Sequence, residues 1–165
     1  MNKKRLIVAF SGPSNSGKTT AIVKVSSILN DGGFKVCIIK HDPKDKAVFD
    51  REGKDSFKFS QTGADVAIVS PNRTTYFKKD TSTVDEMIDL FQDFDYLLIE
   101  GLKTLELPRI SIFRDRLDES YFNVTNAIAC DETIDNNEIP DGIDILDLNN
   151  PKEIILWINK NAKRV

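Results

Sequence analysis

Cysteine, histidine and tryptophan are scarce, with two Cys, one His and one Trp in 165 residues. Cys37 and Cys130 have neither the spacing of a metal knuckle nor the density of a disulfide scaffold. Both are expected to be small, mostly buried fillers, the common fate of free cysteine. There is no excess of positive charge either: 23 Lys and Arg against 26 Asp and Glu leave a net charge of −3. That balance argues against a protein that coats nucleic acid, which needs a clustered basic face. Long hydrophobic runs are missing too. Behind Lys3, Lys4 and Arg5, the apolar run Leu6 to Phe10 is five residues long, short of the roughly 7 to 15 that a signal peptide needs. No membrane partner and a cytoplasmic location are therefore expected. The chain shows no internal repeat and no low-complexity tract. With 40% hydrophobic residues it can bury one sizeable core, and its length suggests a single domain over residues 1–165.

What is present is a phosphate-binding pattern. Gly12, Pro13, Ser14, Asn15, Ser16, Gly17, Lys18 and Thr19 fit Gly, four residues, Gly-Lys-Ser/Thr, and Thr20 continues the run into a helix. The apolar run Leu6 to Phe10 ends in this loop, and Thr19 to Asp31 has helical periodicity, so the context is strand, loop, helix. The two glycines let successive backbone N–H groups face inward at a helix N-terminus and form a nest for phosphate oxygens. Lys18 would neutralise β- and γ-phosphates, and the Thr19 hydroxyl would hold Mg²⁺.

The rest of the chain is read against that loop. Ile22, Val25, Ile28 and Leu29 form the apolar face of the first helix, which Gly32 and Gly33 stop. Phe34 to Lys40 reads as a second buried strand, so the fold begins as a right-handed parallel crossover with its ligand at the strands' carboxyl ends. Asp42, just past that strand, is a candidate to reach Mg²⁺ directly or through water. His41 reads from its chemistry alone as a surface loop residue. A short helix is expected from Asp55 to Thr62, with Phe57 and Phe59 packing inward. Asp65 to Ser70 and Thr74 to Lys78, joined by Pro71-Asn72-Arg73, suggest a hairpin. Thr83 to Phe91 reads as a helix with Val84, Met87, Ile88 and Phe91 inward, and both Ser82/Asp85 and Thr83/Glu86 fit a capping box. Asp95 to Gly101 then resembles a Walker B strand with Glu100 as its acid, placed to orient the waters of a metal ion. The fold class implied is α/β: a P-loop NTPase fold, mostly parallel, with flanking helices and an added β-hairpin.

The stretches Ile38 to Asp45, Gly53 to Asp65 and Leu97 to Ile110, in that order after Gly12 to Thr19, resemble the MobB family over roughly residues 5 to 114. The resemblance implies a GTP-binding, weakly hydrolysing, usually homodimeric protein of molybdenum-cofactor biosynthesis. It would act beside the nucleotidyltransferase MobA in making molybdopterin guanine dinucleotide. It also moves Lys40 and His41 into the cofactor-binding set, since Lys40-His41-Asp42 matches the family's run after strand two. Lys18 and Glu100 become the catalytic candidates, and Thr19, Asp42 and Glu100 the metal ligands. Two rivals remain: a small-molecule or nucleotide kinase using ATP, and a non-hydrolysing, nucleotide-dependent adapter.

Some positions depart from the family's pattern. Thr62-Gly63-Ala64 stands for the more usual Ala-Gly-Ala. After the strand Ala127 to Ala129, Cys130-Asp131-Glu132 replaces the guanine-reading Asn-Lys-x-Asp. Asp131 is able to accept from guanine N1–H and N2–H, or is an ordinary loop acid. Guanine preference therefore rests on the resemblance. Arg109 to Phe113 is expected to alternate as a strand. Arg114 and Arg116 are read as solvated, with phosphate contact or an arginine-finger role as alternatives. Asp131 to Asp147, rich in acids, reads as an acidic surface segment. Asn150, Pro151 and Glu153 open a final helix that closes on Ile154, Ile155 and Ile158.

Overall fold

The computed structural model describes residues 5–48 and 50–165. Its contacts divide the chain into two compact units, one formed by residues 1–41 with 93–165 and the other by 42–92.

In the first unit the chain runs β1 (Leu6–Ser11), α1 (Lys18–Asp31) and β2 (Val36–Lys40). After the second unit it returns through β5 (Tyr96–Glu100), β6 (Arg109–Phe113), β7 (Ala127–Cys130), β8 (Asp144–Asp147), α4 (Pro151–Asn161) and β9 (Lys163–Arg164). The strands lie in the order β2-β5-β1-β6-β7-β8, all parallel along that path, while β9 adds to β1 in antiparallel fashion. The expected mostly parallel α/β sheet is thus observed. Because β1 and β5 lie inside the sheet, every residue of β1, and Tyr96 to Ile99 of β5, is buried. Such strands need continuous apolar runs rather than alternation, which is what LIVAF and YLLI supply.

One face of the sheet is covered by α1 and α4. Ala21, Ile22, Val25 and Leu29 of α1 pack with Ile154, Trp157 and Ile158 of α4 over Leu6, Val8, Phe10, Leu98 and Ile112. Asn150 caps α4 as expected, accepting from the Glu153 N–H. On the sheet's other face, Phe113, Ile128, Cys130, Ile134 and Ile139 form a smaller cluster.

Four expectations need correction here. β2 is an edge strand, so its residues are only partly covered, Ile38 is exposed and Cys37 is half-buried rather than buried. β6 is not alternating: all five of its residues are buried, because it lies between β1 and β7. Within the presumed acidic surface segment, Asp144 to Asp147 is a sheet strand, β8, in which Leu146 carries the burial. Its flanking acids hid a pattern with only two apolar residues. The first helix also starts at Lys18, one residue earlier than the periodicity suggested.

The second unit holds α2 (Asp55–Gln61), the hairpin β3 (Val66–Ser70) and β4 (Arg73–Phe77), and α3 (Val84–Phe91). The hairpin and both helices match expectation. Of the two candidate capping boxes, Thr83 with Glu86 is the one formed. Phe59, expected inward, is exposed, and no residue of α2 or α3 is fully buried. Met87 and Ile88 of α3 are half-covered. Local hydrogen bonds support this unit instead: Asp65 accepts from Tyr76 Oη at 2.7 Å and from the Lys79 N–H at 2.9 Å.

The least expected side chain of the first unit is Arg109, which is 0% exposed. Its guanidinium donates to Ser11 Oγ (2.8 Å), Gly101 O (2.9 Å), Leu102 O (2.9 Å) and Leu105 O (3.1 Å). Burial lowers its pKa, but an arginine stays charged and must keep its donors matched. Arg109→Met leaves the buried Ser11 Oγ and three part-buried carbonyls without their donor, and should cost about 1–3 kcal/mol in urea unfolding, the cost of a buried group left unsatisfied. A loss under about 1 kcal/mol would show that water replaces the guanidinium freely.

Candidate functional site

The loop between β1 and α1 turns through three positive-φ residues, Gly12 (131°), Asn15 (63°) and Gly17 (95°). Interleaving such residues with ordinary ones aims consecutive N–H groups into one concavity, an anion nest. Gly17 is the N-cap of α1 and no side chain caps this end, so the helix's first N–H groups stay directed at the loop. Gly12 is required for a second reason. A Cβ there would lie 2.3 Å from the Ile112 carbonyl oxygen of β6.

Lys18 folds back across the loop, its Nζ donating to Gly12 O (2.9 Å) and Pro13 O (2.6 Å). Burial pushes its ammonium below the ordinary lysine value; the Glu100 carboxylate opposes this, while Lys40 and Lys103 push it further down. Ser16 is 3% exposed and its Oγ, though buried, has no hydrogen-bond partner. A cradle with an orphaned buried hydroxyl, open helix N–H groups and a partly desolvated lysine fits an anionic phosphate chain. Ser14, Asn15, Thr19 and Thr20 are exposed on its rim, and Pro13 is half-covered.

Glu100 ends β5 beside the loop. Its Cα partners across the sheet are Phe10 of β1 and Lys40 of β2, and its carboxylate pairs with Lys40 Nζ at 2.9 Å. The backbone closes around it, with the Gly101 N–H bonded to Phe10 O at 2.9 Å and the His41 N–H to Glu100 O at 3.0 Å. Gly101, at φ 92°, lies against the His41 side chain, where an added Cβ would meet His41 Cβ at 3.0 Å. The structure therefore brings Lys18, Lys40, His41 and Glu100 to one end of the sheet. Asp42 opens the second unit, and its carboxylate accepts from the N–H groups of Lys44 (3.3 Å), Lys46 (2.6 Å) and Ala47 (2.7 Å), organising its own loop.

Further along the same edge, a cavity of about 460 Å³ at the carboxyl ends of β7 and β8 is lined by Cys130, Asp131, Asn136, Asp147 and Asn149 among others. Asp131 is committed inside it: one oxygen accepts from Arg114 Nε at 2.7 Å, the other from Thr133 Oγ1 at 2.5 Å and the Thr133 N–H at 3.2 Å. The Thr133 hydroxyl lowers the Asp131 pKa most, against the cost of burial, with the Thr133 N–H and Arg114 adding to it. Arg114, read from sequence as solvated, keeps a 43% exposed side chain and is also an ion-pair partner. Sequence reasoning also passed over Arg109, which anchors the loop after Glu100. An arginine heading the strand Ile110-Ser111-Ile112-Phe113 was the available signal.

Fold and loop together define an α/β protein of the P-loop NTPase fold class. A family model described as molybdopterin guanine dinucleotide synthesis protein B, MobB, matches residues 7–131, and the chain belongs to that family. It is 32% identical over 116 residues to the molybdopterin-guanine dinucleotide biosynthesis adapter protein of Escherichia coli, covering 66% of each chain. A Methanocaldococcus jannaschii relative with the same adapter description is 30% identical over 116 residues, which is 67% of this chain and 48% of that one. The match thus spans about half of the archaeal relative and about two thirds of the bacterial one. A crystal structure of molybdopterin-guanine biosynthesis protein B superposes with a TM-score of 0.73 at 25% identity, over 94% of this chain and 99% of the other. Among the described residues no helix is long and apolar enough to cross a membrane.

Gly12→Ala tests the cradle. It puts a methyl group against the Ile112 carbonyl at a φ that L residues rarely adopt, which should cost about 1–3 kcal/mol and abolish nucleotide binding. Thermal melts and nucleotide titration read the two effects separately. Full binding by this variant would mean that the loop is not the phosphate cradle.

Proposed function

We propose that this chain binds GTP with Mg²⁺ in the cradle of Gly12 to Thr20, hydrolyses it slowly, and assists the guanylylation of molybdopterin. The assisted enzyme would be a MobA-type nucleotidyltransferase, with this chain acting as a homodimer. The observation that carries the nucleotide reading is the cradle: the buried, unpartnered Ser16 Oγ, the uncapped N-terminus of α1 and the partly desolvated Lys18 ammonium folded across the loop. The pathway reading is supported by membership of the MobB family.

In this reading the nest N–H groups and Lys18 bind the phosphate chain and hold its charge where it builds up. Thr19 and Glu100 would hold Mg²⁺, with Asp42 as a further candidate ligand. Mg²⁺ held there would supply positive charge against that of the phosphate chain. Glu100, only 14% exposed, suits that task because a partly desolvated carboxylate favours a cation. His41 edges the same end of the sheet and, in this reading, would face nucleotide or pterin, while the Lys40 ammonium is engaged by Glu100. The kinase rival expects indifference to guanine and phosphoryl transfer to an added acceptor, and the adapter rival expects nucleotide binding without turnover.

Calorimetry of GTP against ATP, with Mg²⁺ and with or without a MobA-type partner, separates these readings. GTP should bind tighter than ATP, and Lys18→Ala should lose at least about tenfold in affinity, 1.4 kcal/mol, while keeping its melting temperature. Equal affinity for the two nucleotides would favour the kinase reading, and unchanged affinity in Lys18→Ala would remove the P-loop assignment. pH supplies a second check. Bound phosphate favours the charged lysine, so affinity should fall as pH rises through the Lys18 pKa, which burial places below the ordinary lysine value. Lys18→Arg, which stays charged, should flatten that alkaline limb.

A further inference from the structure

The Lys40–Glu100 contact is built into the sheet. The two residues are direct Cα partners at the carboxyl ends of parallel β2 and β5, and the backbone bond from His41 N–H to Glu100 O extends the ladder just past them. Their ion pair at 2.9 Å is lopsided: the Glu100 side chain is 14% exposed, the Lys40 side chain 64%. A mostly buried carboxylate is thus matched by an ammonium that reaches it from solvent on a long, flexible stem. Glu100 also acts on Lys18, raising its pKa against burial, and Lys40 acts on Lys18 in the opposite sense. The three charges therefore interact as a set at the mouth of the phosphate cradle.

We propose that Lys40 is a built-in substitute for the metal ion: its ammonium neutralises Glu100 when no Mg²⁺ is present and swings away when Mg²⁺ enters with nucleotide. This rests on the nucleotide-binding reading above. Without Lys40, the bare Glu100 carboxylate would face incoming phosphates as a like charge close to Lys18, and metal-free nucleotide would be repelled. With Mg²⁺ present the metal does that work and Lys40 becomes dispensable. Its exposure is what makes this possible, since a solvated lysine gives up a partner at little cost. Lys40 would then be a positioning residue that acts through Glu100, setting how strongly nucleotide binding depends on the metal. A direct phosphate ligand would behave differently, being needed in both conditions.

The test is titration of a non-hydrolysable GTP analogue into wild type, Lys40→Met, Glu100→Gln and the double variant, each in EDTA and in excess Mg²⁺. Lys40→Met should lose about three- to tenfold in affinity in EDTA, somewhat above the range of an exposed ion pair because the site is partly desolvated. In Mg²⁺ it should lose less than about twofold. In the Glu100→Gln background the effect of Lys40→Met should vanish, the signature of coupling between the two residues. Equal loss in EDTA and Mg²⁺ would make Lys40 a direct phosphate ligand and overturn the proposal. So would no loss in either condition, or a loss that survives in the Glu100→Gln background. Failure of the wild type to bind the analogue in Mg²⁺ would instead overturn the nucleotide reading, and this proposal with it. Matched melting temperatures of all four proteins confirm that folded forms are compared.

Discussion

A positive charge sealed inside the sheet holds the site end of the first unit in one geometry. The Arg109 guanidinium takes Ser11 from the end of β1, and Gly101, Leu102 and Leu105 from the segment after β5, onto one set of planar donors. A buried arginine cannot shed its charge and cannot leave its donors unmatched without a penalty of kcal/mol order. Every alternative path for residues 101–105 would break part of that match. Ser11 immediately precedes the phosphate loop and Gly101 immediately follows Glu100, so a single side chain fixes the spacing between cradle and acid.

Around that anchor the site is assembled from strand ends. β1 delivers the loop, β5 delivers Glu100, β2 delivers Lys40 and His41, and β6 supplies the Ile112 carbonyl that leaves room only for glycine at position 12. Because the strands run parallel, all these carboxyl ends lie at the same edge, where ligands of open α/β sheets are bound. The apolar residues of α1 and α4 matter to function at one remove. By packing over β1, β5 and β6 they keep these ends in register.

The second unit is built on another balance. Its two helices bury no residue fully, and among the described residues Val66 alone of its apolar side chains is buried. Turn chemistry, the Thr83/Glu86 capping box and the bonds to Asp65 and Asp42 take over much of the ordering. A region ordered mainly by local and solvent-exposed hydrogen bonds opens at low free energy.

Short-range chemistry was legible in the residues themselves. The phosphate loop, the capped helices, the hairpin at Pro71-Asn72 and the strand ending in Glu100 each rest on signals that a few neighbouring residues carry, such as φ preference, capping and periodicity. Those signals survive folding because they concern the chain's own backbone. Sheet position did not survive in the same way. That β2 is an edge and β6 an interior strand, that Ile145 and Leu146 belong to a strand among acids, and that Phe59 faces outward all depend on which distant segment lies alongside, and the local pattern carries no record of that. The same limit hid the charge pairing. Lys40 with Glu100, Arg114 with Asp131, and Arg109 with four oxygens join residues that only sheet register and loop closure bring together. A charge read along the chain looks solvated until the fold supplies its partner.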